Sequence, residues 1–148
     1  MTRSDRRLVQ DGFNELKRCA TPNGLALFVK LFSEHPEYKD IWPQFRAIPD
    51  SSLLSSDVLR NHATVYMRGL QEIVNSIDDD STLRQSTRKI ALSHLKWNIH
   101  KKHIQHMVPE LLAVLSHIRE GNVTEEEKEA WRKLYDIIGN LIDIHKKR

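Results

Sequence analysis

A single cysteine, Cys19, occurs in the whole chain, so no internal disulfide can close a loop and the fold must rest on burial alone. Glycine is scarce too. Its five copies include no Asn-Gly, Asp-Gly or Gly-Gly pair to turn a hairpin, and no long alternating run of Val, Ile and Thr offers a strand. Sheet architectures are excluded. No apolar run approaches the roughly 18 residues that a bilayer span requires, so no membrane crossing is expected. The opening Met1-Thr-Arg-Ser-Asp-Arg-Arg7 has no apolar stretch behind its charges and does not read as a secretory signal. Thr2 excludes myristoylation, and His145-Lys-Lys-Arg148 is not a prenylation box. A reduced lone thiol and no targeting segment make the cytoplasm the expected location. An excess of one charge is also missing. With 23 basic against 20 acidic residues the net charge is +3, well short of the footprint of a nucleic-acid binder. No nucleophile–base pair and no phosphate-cradling glycine loop occur, so the chain does not read as an enzyme.

What is present is helical. The 148 residues suit one domain over 1–148, and 39% hydrophobic with 29% charged residues is too apolar for disorder. Ser4 opens a segment with Leu8, Val9, Phe13 and Leu16 on one face. Thr21-Pro22 reads as cap and first-turn proline of a helix carrying Leu25, Phe28, Val29, Leu31 and Phe32. Pro36 starts a short helical turn that Pro43 closes. Ser55 or Ser56 caps a long helix from Asp57, with the stripe Val58, Leu59, Val65, Tyr66, Leu70, Ile73, Val74 and Ile77.

The run Asp78-Asp-Asp-Ser-Thr82 breaks this pattern as a solvated turn, and a helix resumes at Thr82 or Thr87 and runs to Trp97. A histidine-rich corner from Asn98 to His103 leads into a helix ending near Glu120-Gly121, which Pro109 should bend or delay. Thr124-x-x-Glu127 is a capping box for the last helix, which buries Ala130, Trp131, Leu134, Ile137, Ile138, Leu141 and Ile142. The expectation is an all-α fold of about seven helices.

Eight histidines are the chemical resource of this chain, and two of them lie on apolar helix faces. His62 shares a face with Val58, Leu59, Val65 and Tyr66, and His94 shares one with Ile90 and Ala91, Trp97 following one turn on. A neutral imidazole holds a metal through one ring nitrogen while the other donates to a carbonyl or hydroxyl. Two such histidines on separate helices can address one buried iron centre such as haem, or can each be a core histidine bonded to a backbone carbonyl. His100, His103 and His106 recur every three residues, but no carboxylate or cysteine completes a zinc set, which favours a solvated corner. Cys19 beside Lys17 and Arg18 reads as a structural thiol.

These residues carry a resemblance to the globin family. The run from Gly24 to Phe45, with Phe28, His35-Pro-Glu and Trp42-Pro-Gln-Phe45, resembles a globin's second helix, third helix and following corner. Leu59-Arg-Asn-His-Ala-Thr-Val-Tyr66 resembles the distal-histidine helix, Ile90-Ala-Leu-Ser-His94 the proximal segment, and Thr124 to Tyr135 the start of the final helix. The similarity runs in order over nearly the whole chain. It implies a globin fold around haem b, with His94 as proximal iron ligand and the Ile90 carbonyl and Ser93 hydroxyl as partners of its other nitrogen. His62 takes the distal position and is a candidate sixth ligand. Phe28 roofs the ligand, and Phe45, Val65, Ile104 and Met107 contact the haem, with Lys96, Lys101 and Lys102 near its propionates.

Three positions depart from the family pattern. Trp42 stands where the corner residue is almost always phenylalanine, Tyr66 where an aliphatic is usual, and Phe13 where tryptophan is frequent. Trp42 and Tyr66 enlarge the distal side chains and bring polar tips that need partners when buried. A crowded distal pocket follows, with Tyr66 in contact with the haem or its ligand. Three readings compete. The first is reversible binding of oxygen or another diatomic gas. The second is a hexacoordinate redox or gas sensor, or electron-transfer globin, with both histidines on iron, suggested by a His62–His94 separation like that of neuroglobin-type chains. The third is a haem-free interaction module. Redox turnover would call on an external reductase, and a homodimer stays open.

Overall fold

Helices α1 (Arg3–Leu16), α2 (Ala20–Glu34), α3 (Pro43–Arg46), α4 (Asp57–Asn75), α5 (Asp80–Ser93), α6 (Lys101–Gln105), α7 (Met107–Ile118) and α8 (Glu125–Lys146) follow one another along the chain. The computed structural model describes residues 1–94 and 99–146. The helix end expected at Trp97, Lys96 beside it, and the last two basic residues lie outside the described residues. Short 3-10 turns at Lys17–Cys19, Pro36–Ile41 and Asp50–Ser55 make three of the junctions. Among the described residues there is no strand, and eight α-helices stand where about seven are expected. None of those helices is long and apolar enough to cross a membrane.

Local chemistry explains several helix ends. Ser56 accepts the Leu59 N–H at 3.2 Å and caps α4, as its sequence position suggests. Thr124 and Glu127 form the expected box, with the Glu127 N–H on the threonine hydroxyl at 3.2 Å. Pro109 delays a helix. It has no N–H for the Gln105 carbonyl and its ring crowds that oxygen, so α6 stops at Gln105 and α7 begins at Met107. At the other end of α7, the Gly121 N–H reaches back to the Ser116 carbonyl at 2.8 Å with Glu120 and Gly121 at φ 54° and 91°.

Four expectations need correction. Thr21 does not cap α2, which already begins at Ala20; its hydroxyl is 2.8 Å from that of Thr64 on α4, so a tertiary contact takes it. Pro43 opens α3 rather than closing a turn, because the residue before a proline is driven out of the helical region, and Trp42 is extended at φ −101° and ψ 111°. Asp79 caps α5, which begins at Asp80 ahead of the expected Thr82 or Thr87, through the Ser81 N–H at 3.1 Å and the Thr82 hydroxyl at 2.6 Å. Val58 and Val65 are 46% and 61% exposed and leave the buried stripe of α4 to Leu59, Ala63, Met67, Leu70, Ile73 and Val74. On α8, Ile137 and Leu141 are half-buried, while Trp131, Leu134 and Ile142 are fully buried.

The buried side chains form one connected core. Two glycines set helix approaches in it. Gly12 leaves room for the Trp131 indole, whose Nε1 would be 3.2 Å from an added Cβ. Gly24 lets α2 close on α4: a Cβ there would meet Met67 Cγ at 2.8 Å and the Ala63 carbonyl oxygen at 3.1 Å. The side chain could yield but the backbone carbonyl could not. Gly24→Ala should therefore destabilise the protein by about 1–3 kcal/mol in urea unfolding. Gly69→Ala, whose new Cβ would meet only Ile90 Cδ1 at 3.6 Å, shares the helix-propensity gain without the clash and should not lose stability. Equal effects of the two substitutions would contradict this account of the crossing.

Candidate functional site

The crossing of α2 and α4 opens a cleft enclosing about 980 Å³ of empty space, part of it open to solvent. Phe28 enters from α2, His62, Val65 and Tyr66 from α4, Ile90, Ser93 and His94 from the last turn of α5, Ile104 and Met107 from α6 and α7, and Tyr135 and Ile138 from α8. Trp42, between the second 3-10 turn and α3, completes that wall. Its surface is almost wholly apolar, with a few polar groups aimed inward. Nine of the ten site residues that the sequence singled out thus line one cavity. Phe45 sits one layer back, fully buried, with its ring 5.3 Å from that of His62.

His94 is oriented by the way α5 ends. Its own N–H bonds the Ala91 carbonyl at 3.1 Å, a tightened last turn that leaves the Ile90 carbonyl to side chains. The imidazole takes it, with Nδ1 at 2.6 Å from that oxygen, and the Ser93 hydroxyl donates to the same oxygen at 2.8 Å. A carbonyl only accepts, so Nδ1 carries the proton. Ser93 Oγ, at 3.1 Å from Nδ1, shares it. The tautomer that results puts the ring's lone pair on Nε2, the arrangement a metal-binding imidazole requires.

His62 is held in an aromatic cage. Its ring lies 4.9 Å from Phe28, 5.5 Å from Trp42 and 5.3 Å from Phe45 by centroid. Burial, and second the repulsion His94 would exert once protonated, pull its pKa down to about 4, so it is neutral at physiological pH. A neutral ring offers one N–H and one lone pair. Crowding is present as expected, with Phe28 5.1 Å from Tyr66 and 6.0 Å from Trp42.

Tyr66 finds the partner its polar tip needs in a residue the sequence reading missed. Its hydroxyl is hydrogen-bonded to that of Tyr135, and burial pushes both phenols above their usual range. The available signal was the Trp131–Tyr135 spacing on the buried face of the last helix. Also missed was Tyr38, which lines the cleft with its hydroxyl 2.6 Å from Nδ1 of His106. His100, His103 and His106 do not converge, and among the described residues no group of three His, Cys, Asp or Glu could hold a metal ion. His103 instead lines the cleft edge-on to Tyr38, at 4.7 Å.

These residues fit haem. The walls are apolar enough for a flat macrocycle, one imidazole is fixed with its lone pair on Nε2, and a second, neutral imidazole faces the same cleft. Known proteins point the same way. The fold is like that of the hemoglobin of the botfly Gasterophilus intestinalis, with a TM-score of 0.90 at 16% identity over 100% of both chains. It is also like a hexacoordinated heme protein from an anhydrobiotic tardigrade, with a TM-score of 0.84 at 18% identity over 100% of this chain and 96% of that one. In sequence, the chain is 29% identical to the myoglobin of Heterodontus portusjacksoni over 116 residues, 78% of this chain and 76% of the relative. The family model Globin matches residues 25–142, so the chain belongs to the globin family.

Proposed function

We propose that the chain is one globin domain over residues 1–148 that holds haem b in the cleft and reversibly binds oxygen, or another diatomic gas, at iron carried by Nε2 of His94. The observation that carries this reading is the pair of contacts fixing His94, the 2.6 Å bond from Nδ1 to the Ile90 carbonyl and the Ser93 hydroxyl beside it. Iron supplies the position at which a gas binds; the protein supplies orientation and selectivity. Val65, Ile90, Ile104 and Met107 would pack on the macrocycle. His62, neutral and caged by Phe28, Trp42 and Phe45, would offer its N–H to a polar ligand in the cleft. Such a bond is worth about 0.5–1.5 kcal/mol, up to about tenfold in affinity. Phe28 has no donor to add. Storage, transport and sensing of the gas all fit this site, and the cytoplasm is the proposed setting, where the exposed Cys19 would stay reduced.

A second reading has His62 as a sixth ligand, in a redox or gas-sensing globin served by an external reductase. It is favoured by the neutral state of His62 and by its sharing the cleft with His94. The hexacoordinated tardigrade protein of like fold adds to it.

The test of the proximal assignment is haem retention. His94→Ala should lose stable haem, whereas His62→Ala should keep haem and change its ligand kinetics. A normal haem spectrum in His94→Ala, together with its loss in His100→Ala or His103→Ala, would place the iron on the wrong histidine.

The tyrosine pair gives an independent prediction. While Tyr135 engages the Tyr66 hydroxyl, that hydroxyl already has a partner within the protein. Tyr135→Phe should release it to donate in the cleft and slow oxygen dissociation by about threefold to tenfold, and Tyr66→Phe should leave dissociation within about twofold. A large change in Tyr66→Phe with none in Tyr135→Phe would show that the hydroxyl already reaches the ligand.

A further inference from the structure

A second cleft lies between α1 and the end of α4 and shares no lining residue with the haem cleft. It encloses about 1440 Å³ of empty space, part of it open to solvent. Arg3, Arg6, Arg7, Gln10, Asn14 and Lys17 line it from α1 and the turn that follows, spaced by three and four on one helix face. Asn75 and Asp78 line it from the end of α4 and the turn after it.

The cations here lack the pairing seen on α8, where Lys128, Arg132 and Lys133 each meet a carboxylate within 3.1 Å. The side chains of Arg3, Arg7, Lys17, Asn14 and Asn75 have no hydrogen-bond or ion-pair partner among the described residues. Arg6 gives Nη2 to Asp80 at 3.3 Å, while its Nε is buried without a partner. Gln10 donates to Oδ2 of Asp78 at 2.9 Å. Two carboxylates in the lining, Asp11 and Asp78, stand against four cations.

Two kinds of chemistry thus sit at different places along one wall. Arg3, Arg6 and Arg7 are neighbours within about one turn, which gathers three forked guanidiniums where a phosphate can meet them. An acidic peptide, with charges spread along its length, has no use for that concentration. Asn14 lies seven residues beyond Arg7, about 10 Å along the helix axis. The amides of Asn14 and Asn75 both donate and accept, as sugar hydroxyls require, and Asp78 keeps Oδ1 as an acceptor. A nucleobase is poorly served, because Phe13 and Val74 in the lining are only 2% and 5% exposed and offer no face for stacking. A concave wall carrying two carboxylates also suits a small ligand better than an anionic bilayer.

We propose that this cleft is a binding site for a phosphorylated sugar, its phosphate held by Arg3, Arg6 and Arg7 and its hydroxyls by Asn14, Asn75 and Asp78. The phosphate takes two guanidiniums that have no partner and leaves Arg6 tied to Asp80, so no contact within the protein has to break. Its oxygens also supply the acceptor that Nε of Arg6 lacks. Haem plays no part in this site, which stands or falls apart from the reading of the other cleft.

The test is isothermal titration calorimetry of the full-length protein with glucose 6-phosphate, inorganic phosphate and glucose, at low ionic strength where charge pairing is least screened. Saturable binding of glucose 6-phosphate is expected, about tenfold or more tighter than inorganic phosphate, with none for glucose. Arg3→Gln and Arg7→Gln should each weaken it by about tenfold. Arg7→Lys restores the charge without the fork and should recover only part of the loss. Both arginines are exposed, so neither variant should melt below the parent. Asn14→Ala should weaken glucose 6-phosphate and leave inorganic phosphate unchanged. Failure to saturate with glucose 6-phosphate, or parental affinity in Arg3→Gln and Arg7→Gln, overturns the proposal. Equal affinity for inorganic phosphate overturns it too, since the sugar then has no site. Capture of the protein by vesicles containing phosphatidylinositol 4-phosphate, without binding of the free sugar phosphate, assigns this face to a membrane and also overturns it.

Discussion

The hydrogen bond from His94 Nδ1 to the Ile90 carbonyl decides what this cleft can be. It exists because α5 ends by tightening its last turn, which turns the His94 N–H to Ala91 and leaves the Ile90 oxygen to a side chain. Ser93 joins the same oxygen, so the ring is tied to a helix end rather than to a loose loop. An imidazole free to rotate would pay for its own ordering when it met a metal. One already held in a single tautomer does not, and its basicity at Nε2 is raised by the donor bond at Nδ1.

The opposite wall is governed by volume. Phe28, Trp42, Phe45 and Tyr66 crowd His62, and they can do so because Gly24 lets α2 come in close over α4. That closeness costs the wall its tolerance: each added atom must displace a neighbour in a close-packed interior. The bond between Tyr66 and Tyr135 fits this picture, since a buried phenol must find a partner and α8 offers one across the cavity. The cavity is thus apolar in area but fastened by a few hydrogen bonds between helices that are distant in sequence.

Much of this was legible in the sequence, for reasons that differ by element. Ser56, Thr124 with Glu127, and Pro109 act over three or four residues, so their effects on helix ends can be read directly. The partners of His94, Ile90 and Ser93, were implied by the family resemblance, and both lie within four residues of it. Thr21 was misread because its hydroxyl is spent on Thr64, a residue that only the α2–α4 crossing brings near. Tyr135 and Tyr38 escaped for the same cause: on the chain they are ordinary aromatic residues, and their roles arise from partners on other helices. Val65 shows the converse. Periodicity puts it on an apolar stripe, and it does face inward, yet it fronts the open cleft and stays 61% exposed.

The most direct check of the account is the visible absorption spectrum of the haem-loaded, reduced, deoxygenated protein. With His94 as the one protein ligand and His62 held in its aromatic cage, a single broad visible band is predicted, replaced on adding carbon monoxide or oxygen. Sharp, split bands before any gas is added would mean that His62 is also on the iron, and would contradict it.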